Sequence, residues 1–146
     1  MQAQFTDKAK AALLLAEKTA KKLRQGYVGT EHILVGLMKE RTGVAARVLY
    51  DNGVNEVQVM EIIKDLISMD SPVVIKDRES YSPRALKVLE EAHKQAERFG
   101  EKLTGTEHIL MALIKEGENV AVRLLNTIGV STQKIYVDVL IAIGED

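Results

Sequence analysis

Laid against itself with Gly105 over Gly29, a shift of 76 residues, the chain matches its own second half without a gap. Gly29-Thr30-Glu31-His32-Ile33-Leu34 falls on an identical run from Gly105 to Leu110, Leu13 on Leu89, Arg47 on Arg123 and Gly53 on Gly129. About a third of the positions between Phe5 and Ile67 equal their counterparts, the mark of an internal duplication. Two copies are fewer than a stacked solenoid needs, so the pattern predicts a closed pair of units related by a pseudo-twofold axis. We read residues 1–146 as a single domain, with a first repeat over 5–69, a second over 81–144 and a link over 70–80. The link carries Asp70-Ser71-Pro72 and a charged stretch from Lys76 to Ser80 around Val73-Val74-Ile75.

Each copy reads as four helices, which makes an all-α fold of eight helices. Ala9, Leu13, Ala16, Ala20 and Leu23 recur at spacings of three and four, answered by Ala85, Leu89, Ala92, Ala96 and Phe99. Thr6 and Ser82 are the expected N-caps of these stripes, with Pro83 at the first helical position, where its missing N–H is harmless. The second helix begins at Thr30 or Thr106, and the third carries Val44, Ala45, Val48 and Leu49 or Val120, Ala121, Leu124 and Leu125. Gly53 and Gly129 end the third helices, and Asn55 and Ser131 cap the fourth. The fourth helices bury Val59, Ile62, Ile63, Leu66 and Ile67, or Ile135, Val139, Ala142 and Ile143.

The formal net charge of −1 spreads Lys and Arg among Asp and Glu, so no basic face is expected for nucleic acid. The apolar runs are broken before the roughly 20 residues of a membrane span, and the first ten residues hold no apolar signal core, so we expect no membrane association and a cytoplasmic location. Cysteine is absent, which fits a reducing compartment. No phosphate loop and no nucleophile elbow occur, so no enzymatic activity, catalytic residue or cofactor is expected.

The repeated Gly-Thr-Glu-His segment has two readings. It is a capped helix start, in which Gly29 turns the chain, Thr30 caps and Glu31 faces the dipole. It is also an anion site, because first-turn N–H groups lack intrahelical acceptors, with Glu31 or Glu107 beside it as a partner for a guanidinium. A ligand carrying both phosphate and guanidinium fits that pair. His32 and His108 sit next to a glutamate on a helix and face elsewhere, so no metal site is expected, and we read them as half-buried donors tying the helix start to a neighbour. Lys8 and Arg84 lie in the first turn of their helices, where a cation is unfavourable and wants a phosphate or acidic partner or plain solvation. Tyr81 has Leu86 as a hydrophobic-staple partner, whereas Phe5 faces Lys10, which leaves Phe5 as the candidate exposed peptide contact.

Phe5-Thr6, Tyr81-Ser82-Pro83-Arg84-Ala85, the two Gly-Thr-Glu-His-Ile-Leu runs and Gly43-Val44-Ala45-Ala46-Arg47-Val48-Leu49 together resemble the Clp N-terminal repeat domain, in the form carried by ClpC-type Clp ATPases. The resemblance implies a recognition domain placed before two ATPase rings that feed the ClpP peptidase. It also implies adaptor proteins of the MecA type and phosphoarginine-bearing substrates as partners. Thr30, Glu31 and His32 would belong to one phosphoarginine pocket and Thr106, Glu107 and His108 to the other, with the glutamate gripping the guanidinium and Lys8 and Arg84 as further contacts. The rival expectation is a free-standing Clp-repeat accessory protein that binds a Clp complex without reading phosphoarginine. Departures from the family pattern are Ala112 against Gly36, Thr104 before the second motif, Glu118-Asn119, and Arg41-Thr42.

Overall fold

The computed structural model describes residues 4–68 and 80–144. Among them lie eight α-helices: α1 (Asp7–Lys22), α2 (Thr30–Glu40), α3 (Val44–Asp51), α4 (Glu56–Ser68), α5 (Pro83–Arg98), α6 (Thr106–Glu116), α7 (Val120–Ile128) and α8 (Thr132–Gly144). The second four repeat the first four in order, as the duplication requires. The Val73-Val74-Ile75 run lies outside the described residues.

Local chemistry sets the helix starts. Thr6 Oγ1 accepts from Ala9 N and Ser82 Oγ from Ala85 N, both at 3.1 Å. Asn55 Oδ1 accepts from Gln58 N and Ser131 Oγ from Lys134 N, both at 3.0 Å. Gly53 and Gly129 take φ values of 82° and 97° after α3 and α7, in the left-handed region that glycine enters without strain.

The middle of the molecule belongs to α2 and α6. Every residue from Thr30 to Met38 is buried, as are Ile109 to Leu113, the all-round burial of a helix enclosed by neighbours. Around this pair pack Ala9, Leu13 and Ala16 of α1, Ala85, Leu89 and Ala92 of α5, Leu49 of α3, Leu125 of α7, Val59 and Ile63 of α4, and Ile135 and Val139 of α8. Of the residues expected on the apolar face of α4, Leu66 departs, being 46% exposed. The α1–α2 contact is tight because position 36 is glycine: a Cβ there would lie 2.2 Å from the Ala12 carbonyl oxygen. The second copy carries Ala112 at that place and the bulkier Val88 opposite, in place of Ala12.

The two halves cross at their helix starts. Thr6 N donates to Thr104 O at 2.9 Å and Thr104 N to Gln4 O at 2.7 Å, while Val28 N donates to Ser80 O and Ser82 N to Val28 O, both at 2.9 Å. Each chain segment before a motif is thus stitched to the other half's entry into its first helix. These stitches overturn the expectation that Phe5 is exposed. Phe5 is buried against His93 of α5, ring centroids 4.8 Å apart, because the bridge to Thr104 draws it between the halves. Tyr81, its counterpart, is half-buried and donates its hydroxyl to Glu17 of α1 at 2.8 Å, while its expected staple partner Leu86 is 45% exposed.

The expected capping by Thr30 needs correction on the same grounds. Gly29 is the N-cap of α2 and Thr30 the first helical residue; the Thr30 hydroxyl instead accepts from Ala121 N of α7 at 3.2 Å, and Thr106 accepts from Ala45 N of α3 at 3.3 Å. Each motif threonine therefore caps the third helix of the opposite half. Removing both hydroxyls with Thr30→Val/Thr106→Val is expected to lower the unfolding free energy by roughly 1–3 kcal/mol. Urea denaturation measures it, and an unchanged midpoint would contradict the crossed caps.

Candidate functional site

The crossing builds two related clefts. One, of about 300 Å³, places Tyr27, Gly29, Thr30 and Glu31 of the first half against Ser82, Arg84, Asn119 and Arg123 of the second. The other, of about 410 Å³, places Thr106 and Glu107 against Thr6, Lys8, Gly43 and Arg47. Each motif thus faces the first and third helices of the opposite copy. The sequence-expected residues Thr30, Glu31 and Arg84 meet in one cleft, and Thr106, Glu107 and Lys8 in the other. Arg123 and Arg47 were missed as site residues. Their signal was an arginine held identical between copies amid the apolar residues of the third helix.

The glutamates are not the exposed first-turn residues expected of a plain capped helix. Glu31 is buried and Glu107 half-buried. Both carboxylates fold back over the motif glycine: a Cβ on Gly29 would lie 2.4 Å from Glu31 Oε1, and one on Gly105 would lie 2.5 Å from Glu107 Oε1. The Tyr27 hydroxyl donates to Glu31 Oε2 at 3.3 Å, whereas Leu103 stands at the matching place beside Glu107. At the helix start, His32 N and Ile33 N both donate to Gly29 O at 3.1 Å, which leaves the Thr30 and Glu31 N–H groups unused by these bonds.

His32 and His108 are fully buried acceptors, not half-buried donors. Each Nδ1 accepts from the N–H of its motif glycine at 2.9 Å, closing the first turn. In the neutral ring that geometry puts the proton on Nε2, which is buried and without a hydrogen-bond partner in both copies. Burial lowers both pKa values below 6.5, against the opposing pull of Glu31 on His32 and of Glu107 and Glu101 on His108. Below pH 6.5 the unfolded chain takes up protons that the folded chain refuses, so stability is full above that pH and falls as the pH drops toward the depressed folded values. Urea midpoints are expected to hold from pH 7.5 to about 6.5 and to decline from there to pH 5; a flat profile over that lower window would contradict neutral acceptor histidines.

The cations expected to want a partner have internal ones. Lys8 Nζ donates to Thr42 O at 3.3 Å, and Arg84 pairs with Glu116 at the end of α6. Burial pushes the Glu116 carboxyl up, but bonds from Asn119, the Glu118 N–H and Arg84 outweigh it and hold the pKa below the usual range. Arg47 and Arg123 are exposed. Each cleft accordingly carries two cations, the motif carboxylate and one exposed carboxylate, Glu118 or Asp7. Among the described residues no three His, Asp or Glu side chains gather as a metal-binding group, and no helix is long and apolar enough to cross a membrane.

The Clp repeat (R) N-terminal domain family matches residues 4–128. This chain belongs to that family. It is 39% identical over 143 residues to the negative regulator of genetic competence ClpC/MecB of Bacillus subtilis and, at the same level, to the chaperone protein ClpB of Oceanobacillus iheyensis, each alignment covering 98% of this chain and 17% of the relative. The chain therefore spans about a sixth of the curated relatives it matches, and identity does not separate ClpC from ClpB. The N-terminal domain of ClpD from Arabidopsis thaliana superposes with a TM-score of 0.80 at 22% identity, covering 98% of this chain and 99% of that one, which fixes the eight-helix Clp N-domain fold.

Proposed function

We propose that this Clp repeat domain is the substrate- and adaptor-recognition domain of a ClpC-type ATP-dependent unfoldase, and that it reads phosphoarginine in its two crossed clefts. The observation that carries the reading is the composition of each cleft: a motif carboxylate, free helix-start N–H groups and an arginine from the opposite half. Phosphoarginine is a dianionic phosphate joined to a guanidinium. The carboxylate takes the guanidinium in a charge-assisted pair, while the N–H groups and Arg123 or Arg47 take the phosphate. A phosphoserine offers only the anion and meets the carboxylate as a repulsive neighbour. The domain itself performs no chemistry in this reading and needs no cofactor or metal. Its further partners are adaptors of the MecA type, the ATPase rings of a parent chain and, through them, the ClpP peptidase, in the cytoplasm.

Titration of the isotopically labelled chain with free phosphoarginine, followed residue by residue, tests the proposal. Shifts are expected at Thr30, Glu31 and Arg123 and at Thr106, Glu107 and Arg47, with phosphoserine at least tenfold weaker, a difference of roughly 1.4 kcal/mol. Equal binding of phosphoserine would defeat the assignment.

A further inference from the structure

Tyr27, Glu31, Val120 and Arg123 each line two adjoining clefts. Beyond the Glu31 pocket, a second cleft of about 530 Å³ runs between α4 and α7, walled by Ile62, Leu66 and Ile67 of α4 and Leu124 of α7. Ile62 and Ile67 are half-buried and Leu66 is 46% exposed, so an aliphatic wall faces solvent beside the buried carboxylate. A lone surface leucine means little, but the duplicated half provides an internal comparison. At the matching places Ile62, Leu66 and Thr127 become Asp138, Ala142 and Asp51. Asp138 accepts from Asn52 Nδ2 at 2.9 Å and from Lys134 Nζ at 2.8 Å, so a paired carboxylate stands where the first half has Ile62, beside the retained Ile143 that matches Ile67. The halves share the motif glutamate and the facing arginine and differ in what adjoins them.

A phosphoarginine within a protein has neighbours, and an extended chain advances about 3.3–3.6 Å per residue. The side chain one or two positions along is therefore within reach of a cleft that shares Tyr27, Glu31, Val120 and Arg123 with the pocket. Resting on the reading of the Glu31 pocket given above, we infer that this pocket selects phosphoarginine flanked by a large aliphatic residue, received by Ile62, Leu66 and Ile67, whereas the Glu107 pocket has no such preference. The aliphatic groove adds apolar burial that the Asp138 side does not offer. The two sites of one domain thus accept different sequence contexts around the same modification.

Two short phosphoarginine peptides, alike except for Leu or Ser on both sides of the modified residue, test this by site-resolved titration of the full chain. The Leu peptide is expected to bind about tenfold more tightly than the Ser peptide at the Glu31 pocket and within about twofold at the Glu107 pocket. Leu66→Ser, at an exposed position, is expected to shrink that preference roughly threefold or more, with free phosphoarginine affinity unchanged. If free phosphoarginine binds while the two peptides bind the Glu31 pocket equally, the inference alone is overturned. Equal Leu preference at both pockets overturns it as well, as does equally tight binding of the unmodified Leu peptide. Shifts of Ile62 and Leu66 that grow with protein concentration alone would give the groove to a second copy and overturn it. Failure of free phosphoarginine to bind either pocket removes the proposed function and this inference together.

Discussion

Glu31→Ala is expected to weaken phosphoarginine binding at its pocket tenfold or more, and Glu107→Ala to do the same at the other, each substitution leaving the opposite pocket intact. A charge-assisted hydrogen bond contributes roughly 1.5–3 kcal/mol, and each 1.4 kcal/mol is a factor of ten. Independence follows from the geometry, because each of the two clefts contains one of the glutamates. The folded chain should survive both changes. Glu31 gives up the 3.3 Å bond from Tyr27 at the rim of its cleft, and Leu103 replaces that tyrosine in the second half. Calorimetry on the double variant Glu31→Ala/Glu107→Ala should show affinity weakened tenfold or more at both pockets; unchanged affinity would mean that the carboxylates do not grip the ligand.

The second large effect is on stability. A glycine inside a helix ordinarily gains about 1 kcal/mol on becoming alanine. Gly36→Ala is expected to do the reverse and destabilise by about 1–3 kcal/mol, the range for overpacking a filled core. The new methyl would meet the Ala12 carbonyl oxygen at 2.2 Å and the Ala16 nitrogen at 2.9 Å, backbone atoms of α1 that move only if the whole helix moves. The reciprocal Ala112→Gly loses a buried methyl and helix propensity without relieving any clash, roughly 1–2 kcal/mol. Thermal melts of the two variants decide the matter: a stabilised Gly36→Ala would show that the helices have room to part.

What the sequence disclosed follows the range of the interactions concerned. The caps at Thr6, Ser82, Asn55 and Ser131 span three residues, so spacing alone announces them. The motif glycines and helix starts were equally legible. Phe5 was misread because its environment comes from Thr104 and His93, about ninety to a hundred residues away. The same distance hid the bond from Ala121 to the Thr30 hydroxyl, and with it the roles of Arg47 and Arg123. The histidines were recognised as belonging to the helix start, but their direction was reversed, since a donor and an acceptor imidazole have one and the same letter in a sequence. Leu66 satisfied the helical period and still lies open, because α7 stands off from it across the groove.

The crossed assembly also bears on dilution. A single four-helix unit, cut free, would hold a motif without the arginine that faces it and an arginine without its motif. Two such units would have to find each other, and their shared clefts would come apart as the protein became scarce. Joined in one chain, the halves meet as an intramolecular event that dilution does not weaken, and the two clefts stay assembled. Fusion also frees the halves from symmetry: in a dimer of identical units Ile62 and Asp138 would have to be the same residue, and both clefts would then have the same walls.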